Sequence, residues 1–176
     1  MGRVWRARDE MLQSPVAVKR LRLDDLDGHE DPGTRRERAL REARASARVD
    51  HPGVVRVYDV AEEGDQLWIV MELVEAPSLE RTVAEHGPLS ARETARLGLA
   101  LAQALRRVHA AGVLHRGAKP GTALLGPGGR VVLSDFGIAA VQDARALTGA
   151  GLILGSPEYI PPERATGASP GPASDW

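Results

Sequence analysis

Cysteine is absent from the 176 residues, which removes disulfides, thiolate metal sites and a thiol nucleophile together. Also missing are a cleavable leader pattern and any apolar run long enough to span a bilayer, so the expected location is cytoplasmic, with no membrane segment. No single sign of charge dominates: 23 basic against 24 acidic residues give a net charge of −1, which argues against a nucleic-acid partner. Lysine is nearly missing. Of the 23 basic residues only Lys19 and Lys119 are lysine and 21 are arginine; where lysine persists in such a chain, a compact rotatable ammonium is wanted in place of a planar fork. What is present is 43% hydrophobic residues, enough for one substantial core or two small lobes, and too much for a disordered tail.

The stretch from Val113 to Leu125 reads as strand, loop, strand: an apolar start, then prolyl and glycyl breakers, then a second apolar run. Its loop carries His115, Arg116 and Lys119, and a basic loop on a rigid base suits phosphate. A little further on, Leu133-Ser134-Asp135-Phe136-Gly137 sets a lone carboxylate just past another strand. Upstream, Gly2 to Arg8 alternates as a strand, turns at Asp9-Glu10 and returns as Pro15 to Leu21, making a hairpin. Period-two geometry puts Ala17 and Lys19 on one face, opposite Val16 and Val18. Residues 24–33 are acidic and rich in breakers, a solvated loop with an exposed His29 and no metal site.

Thr34 with Glu37 spells a capping box for a helix whose apolar stripe is Ala39, Leu40, Ala43 and Ala47. Glu42 lies on this helix, flanked by Arg41 and Arg44, and a nearby arginine of the helix is one partner open to it. His51-Pro52-Gly53 ends the helix, with His51 in a structural role; strands follow over Arg56 to Val60 and Gln66 to Leu73 around a Glu63-Gly64-Asp65 turn. The pattern breaks after Val74, at Glu75-Ala76-Pro77-Ser78. Ser78 caps a short helix, and Ser90 with Glu93 forms a second capping box before the longest one, which runs to about His109 and stops at Gly112. Its middle, Leu97 to Leu105, is apolar nearly all round and needs neighbours on several sides, whereas His109 suits the helix dipole. Gly126-Pro127-Gly128-Gly129 is a turn between short strands, and Ile138 to Ile160 lacks periodicity and reads as a working loop.

Together these motifs resemble a bacterial-type serine/threonine protein kinase domain. His115 to Thr122 is similar to the catalytic loop HRDxKPxN, with Gly117 at the aspartate and Thr122 at the asparagine; Asp135-Phe136-Gly137 is similar to DFG, and Val16-Ala17-Val18-Lys19 to the third strand of the small lobe. Gly2 and Val4 match the end of the glycine-rich loop, Met71 to Val74 the gatekeeper and hinge, Ser156 to Glu163 the end of the activation segment, and Asp175-Trp176 the opening of the central helix.

The resemblance implies an α+β, bilobal protein-kinase-like fold. Its small antiparallel β lobe with one helix would span 1–74, and a partial, mainly helical large lobe 75–176, with the glycine-loop start and the remainder of the large lobe lying beyond the chain. It further implies a nucleotide site of Gly2, Val4, Ala17, Lys19, Glu42, Met71, Glu72, Val74 and Leu124, with Lys19 on the phosphates and Glu42 paired to it. Asp135 and, more weakly, Thr122 would hold Mg2+, Lys119 would steady the transferring group, and Thr148, before Ser156, would take an activating phosphate paired by Arg116. ATP and a protein substrate or signalling partner are the implied partners. Because Gly117 has no side chain to accept the hydroxyl proton, three outcomes stay open: an impaired kinase, a nucleotide-binding pseudokinase acting as an interaction module, or a gene fragment.

Overall fold

The computed structural model describes residues 3–21, 31–64, 66–135, 157–166 and 168–176. Four strands, β1 (Val4–Asp9), β2 (Ser14–Leu21), β3 (Val57–Glu63) and β4 (Gln66–Glu72), form one antiparallel sheet in the order β1-β2-β4-β3. The β1–β2 hairpin forms as its alternation predicts; its turn spans residues 10–13 and is held by Asp9 Oδ1, which accepts from Met11 N at 2.9 Å and Leu12 N at 2.8 Å. Ala17 pairs with Met71, Lys19 with Ile69 and Leu21 with Leu67, so these side chains share the inward face. Leu67 and Ile69 are fully buried there.

Helix α1 (Pro32–Ala47) covers the sheet, with Ala39 and Ala43 in the core. Two local expectations for it are corrected. The N-cap is Asp31, whose Oδ2 accepts from Gly33 N at 2.9 Å and Thr34 N at 3.2 Å, and Pro32 supplies the first helical position. A preset proline φ and a carboxylate cap start the helix one turn before Thr34 reaches capping geometry. The buried face also closes on Ser46 in place of Ala47, which is exposed. His51 is structural as expected: its Nδ1 accepts from Gly53 N at 3.1 Å.

Beyond β4, residues 73–77 run without regular structure into α2 (Leu79–His86), capped by Ser78, and α3 (Ala91–Ala110). The capping box is complete: Ser90 Oγ accepts from Glu93 N at 3.3 Å and Glu93 Oε2 accepts from Ser90 N at 3.0 Å. Short strands β5 (Ala123–Leu125) and β6 (Val131–Leu133) pair antiparallel across the expected turn, where Gly128 and Gly129 have φ of 67° and 78°. That left-handed backbone asks for glycine, and at Gly129 a Cβ would meet the Arg96 guanidinium at 2.9 Å. A short α4 (Pro162–Ala165) and a 3₁₀ turn at Pro172–Asp175 complete the described chain. Among the described residues no helix is long and apolar enough to cross a membrane.

Candidate functional site

The register of the sheet assembles one wall of a cleft. Val4 pairs with Lys19 across β1–β2 and Arg6 with Ala17, which in turn faces Met71, so Val4, Ala17, Lys19 and Met71 lie on a single face. Lys19 is 5% exposed, while Val4 remains 48% exposed at the open end. Leu73, Val74 and Leu124 are partly buried against the core next to this wall. Arg6, unremarked in the sequence, shares the Ala17 row, and its Nη1 lies 2.6 Å from Glu75 Oε1. Gly2, Thr148 and Ser156 lie outside the described residues.

Opposite stands the basic loop. Its first limb corrects the strand expectation: Val113 to His115 has no regular secondary structure and pairs with no strand among the described residues. The backbone N–H groups of His115 and Arg116 are taken by one carboxylate, Asp175, at 2.8 and 2.6 Å. That carboxylate is fully buried and also lies 2.8 Å from His109 Nε2. Three donors on one buried acceptor substitute for a sheet ladder, which gives Asp175 and His109 a joint part in shaping the loop that the sequence does not disclose. His115 is fully buried; its Nε2 lies 2.9 Å from Ser134 O and its Nδ1 accepts from Gly117 N at 3.2 Å. Those contacts require the neutral ring with the proton on Nε2, and burial pushes the imidazole below its ordinary value, outweighing Ser134 O and the carboxylates of Asp175 and Asp135.

Two ion pairs involve the wall lysine, the α1 acid and the loop. Lys19 Nζ is 2.7 Å from Asp135 Oδ1, with Asp135 held at φ 61° just after β6. Glu42, expected on Lys19, pairs with Arg116 instead: Oε1 to Nη1 is 3.4 Å. The choice leaves Glu42 Oε2 and Arg116 Nε buried and without a hydrogen bond. Burial raises the Glu42 carboxyl, and Arg116, Arg38 and Arg41 pull it down less strongly. Lys19 is paired with Asp135, and the α1 acid with Arg116 of the basic loop. Thr122, 3% exposed, closes the loop on itself: its Oγ1 accepts from Lys119 N at 3.2 Å and lies 3.0 Å from Lys119 O and 3.2 Å from Gly117 O.

A cavity of about 310 Å³ lies behind this site and is lined by Leu101, Leu105, Ala118, Pro120 and Trp176 among others. It is lined also by Lys119 and Asp175 but touches neither Lys19 nor Asp135.

Known proteins resemble this chain in sequence and in fold. The chain is 41% identical over 180 residues to the serine/threonine-protein kinase PknA of Mycobacterium tuberculosis, covering 99% of this chain and 41% of that protein. It is 35% identical over 167 residues to the serine/threonine-protein kinase PrkC of Bacillus subtilis, covering 95% and 25%. Among solved structures, a point mutant of the kinase domain of Mycobacterium tuberculosis PknI matches with a TM-score of 0.74 at 29% identity, covering 99% of this chain and 64% of that one. The chain thus spans less than half the length of these curated relatives. The protein kinase domain model matches residues 1–176, and on that match, with a fold in agreement, the chain belongs to the protein kinase family, alongside bacterial serine/threonine kinases.

Proposed function

We propose that this chain binds ATP with magnesium on the Val4, Ala17, Lys19 and Met71 face, and that its transfer of the γ-phosphoryl to a protein serine or threonine hydroxyl is impaired. The observation that carries the reading is the Lys19–Asp135 contact of 2.7 Å, taken together with the glycine at 117: the strand lysine and the motif carboxylate meet, although Glu42 is paired to Arg116, and position 117 supplies no carboxylate for the acceptor. Glu72 and Val74 offer backbone groups to adenine, and Leu124 closes the site from β5. Residues 1–74 then act as the small lobe and 75–176 as part of the large one.

The residues fit a single magnesium ion held jointly with phosphates. Magnesium is commonly bound through one or two carboxylates plus substrate oxygens and water, and Asp135, 31% exposed on its side chain, is such a carboxylate. Thr122 fits poorly as a second ligand because its hydroxyl is committed to the loop backbone, and among the described residues no cluster of three or more acidic or histidine side chains exists to hold a metal alone. The bound ion would supply charge neutralisation at the phosphates. For the chain's own part, Lys19 turns its ammonium from Asp135 to a phosphate oxygen, Lys119 steadies the transferring group, and Gly117 leaves the acceptor hydroxyl without a base. A missing base costs about a hundred- to ten-thousandfold. Thr148 is the proposed site of regulatory phosphorylation, where its phosphate competes with Glu42 for Arg116.

Equilibrium binding of a fluorescent ATP analogue with and without Mg2+, set beside transfer of labelled phosphate to a generic protein substrate, tests this reading. The expected result is magnesium-dependent binding that Lys19→Met abolishes, with transfer far below that of the Gly117→Asp variant. Efficient transfer by the unaltered chain overturns the impairment; absence of binding overturns the nucleotide site. Binding with no transfer at all favours a pseudokinase that signals through a protein partner, a reading the glycine at 117 already supports.

A further inference from the structure

One arginine outside these ion pairs joins three separate stretches of chain. Arg130, at the start of β6, directs Nε to Pro52 O at 3.0 Å and both Nη1 and Nη2 to Glu72 Oε1 at 3.0 Å. The other oxygen of Glu72 lies 3.4 Å from Arg56 N, its donor. The planar fork is thus used on all sides, and Glu72 has both oxygens engaged.

The location of this contact gives it meaning. The connector 51–56 is stitched to β6 by Val55 N on Leu133 O at 3.0 Å and Leu133 N on Gly53 O at 2.8 Å, and to the end of β4 by Glu72 N on Arg56 O at 2.8 Å. From Glu72 the chain passes through residues 73–77, and at their far end Leu125 N donates to Pro77 O at 2.8 Å. The β5–β6 hairpin therefore grips both ends of the 73–77 segment. The far end is held by a main-chain hydrogen bond; the Glu72 end is reached by main-chain bonds only through the connector 51–56, and its one direct tie to the hairpin among the described residues is the side chain of Arg130. Any change of angle between the four-stranded sheet and the β5–β6 hairpin must bend 73–77 and strain or break the Arg130 contacts.

We propose that Arg130 is a positioning residue: by tying Glu72 and Pro52 to the β5–β6 hairpin it restrains the 73–77 hinge and slows opening of the nucleotide cleft. This rests on the nucleotide reading above, since the Lys19 wall stands on the sheet side of the hinge and Asp135 follows β6 on the other. The Arg130 side chain is 42% exposed and Glu72 23%, so solvent screening moderates the restraint and the effect of losing it is roughly two- to fivefold.

Two variants of the full chain test it. Arg130→Met keeps the aliphatic stem and removes the fork; Arg130→Lys keeps the charge but offers a point donor. Backbone hydrogen exchange without nucleotide reads the restraint directly, and displacement of a fluorescent ATP analogue with Mg2+, followed by stopped flow, reads the cleft. The expected result is faster exchange confined to 52–56 and 72–77 together with roughly two- to fivefold faster dissociation in Arg130→Met, and an intermediate effect in Arg130→Lys. Arg81→Met, which breaks an exposed pair with Glu85 on α2, should move neither. Unchanged exchange at 72–77 overturns the proposal, as does protection lost equally across α3 in both variants, the mark of a general stability effect. Unchanged dissociation alongside faster exchange overturns the link to the cleft. If no protein retains the analogue, it is the nucleotide reading that fails, and the exchange experiment still decides the restraint.

Discussion

His115 shows how much one buried side chain settles. Its neutral ring donates through Nε2 and accepts through Nδ1, and its proton affinity is held below the ordinary 6.5 by burial. The unfolded chain therefore takes up a proton near pH 6.5 that the native chain refuses, so this contribution is complete above that pH and is lost as pH falls towards the lower folded value. Glu42 works in the opposite sense: burial holds its carboxyl above 4.5, so its contribution to stability falls as pH rises from 4.5 through the folded value. Urea midpoints should accordingly drop on acidification from about pH 7 to 5.5, and His115→Phe should flatten that slope; an unchanged slope would remove His115 as its source. At Gly117 and Thr122 the expectation is kinetic. Gly117→Asp restores an acceptor base, and Thr122→Asn adds a ligand at the cost of overfilling a 3% exposed site, roughly 1–3 kcal/mol of stability. The double variant should exceed either single one in phosphate transfer, since residues that act as a unit are not additive. No gain in the double variant, with nucleotide still bound, would place the defect elsewhere.

Among the elements, caps separate what sequence discloses from what it does not. Asp31→Ala should cost about 1 kcal/mol of stability by leaving the first N–H groups of α1 uncapped, whereas Thr34→Ala should stay within about 0.5 kcal/mol; denaturant titration of the two variants checks the order. Either residue type can cap a helix, and the proline preset at 32 decides between them. Patterns carried by near neighbours are legible: the hairpin of β1 and β2, the Ser90–Glu93 box of α3, the turn between β5 and β6. Contacts chosen over long distances are not. Val113 to His115 carries a strand composition but is bound by Asp175, 60 residues beyond His115, and no periodicity predicts that a lone carboxylate will replace a neighbouring strand. Glu42 is similar, because an intrahelical arginine, Lys19 and Arg116 are all open to it in the sequence, and the fold sets it on Arg116, 74 residues away. The Arg130 clamp is silent in the sequence for a compositional reason: one arginine among 21 carries no signal until the groups it binds are brought together.

On the scale of the whole molecule, one apolar face remains open. Helix α3 buries Ala104, Leu105 and Val108 but leaves Leu99 62% exposed, with Tyr159 at 52% and Trp176 at 66% in the described chain. Leu101, Leu105, Tyr159 and Trp176 line the cavity of about 310 Å³ on this side, so among the described residues the all-round apolar helix read from Leu97 to Leu105 is buried only at Ala104 and Leu105 within that stretch. At roughly 25 cal/mol per Å² of apolar surface, a few uncovered large side chains forgo several kcal/mol, comparable to the whole stability of a small domain. A polypeptide of residues 1–176 should therefore bind an apolar dye such as ANS at neutral pH and associate as its concentration rises. Leu99→Glu and Trp176→Glu should each reduce both effects without disturbing the β1–β4 sheet. Sedimentation velocity and dye fluorescence across a concentration series decide the matter: a monomer with a sharp cooperative melt and no dye signal would mean that this face is already satisfied.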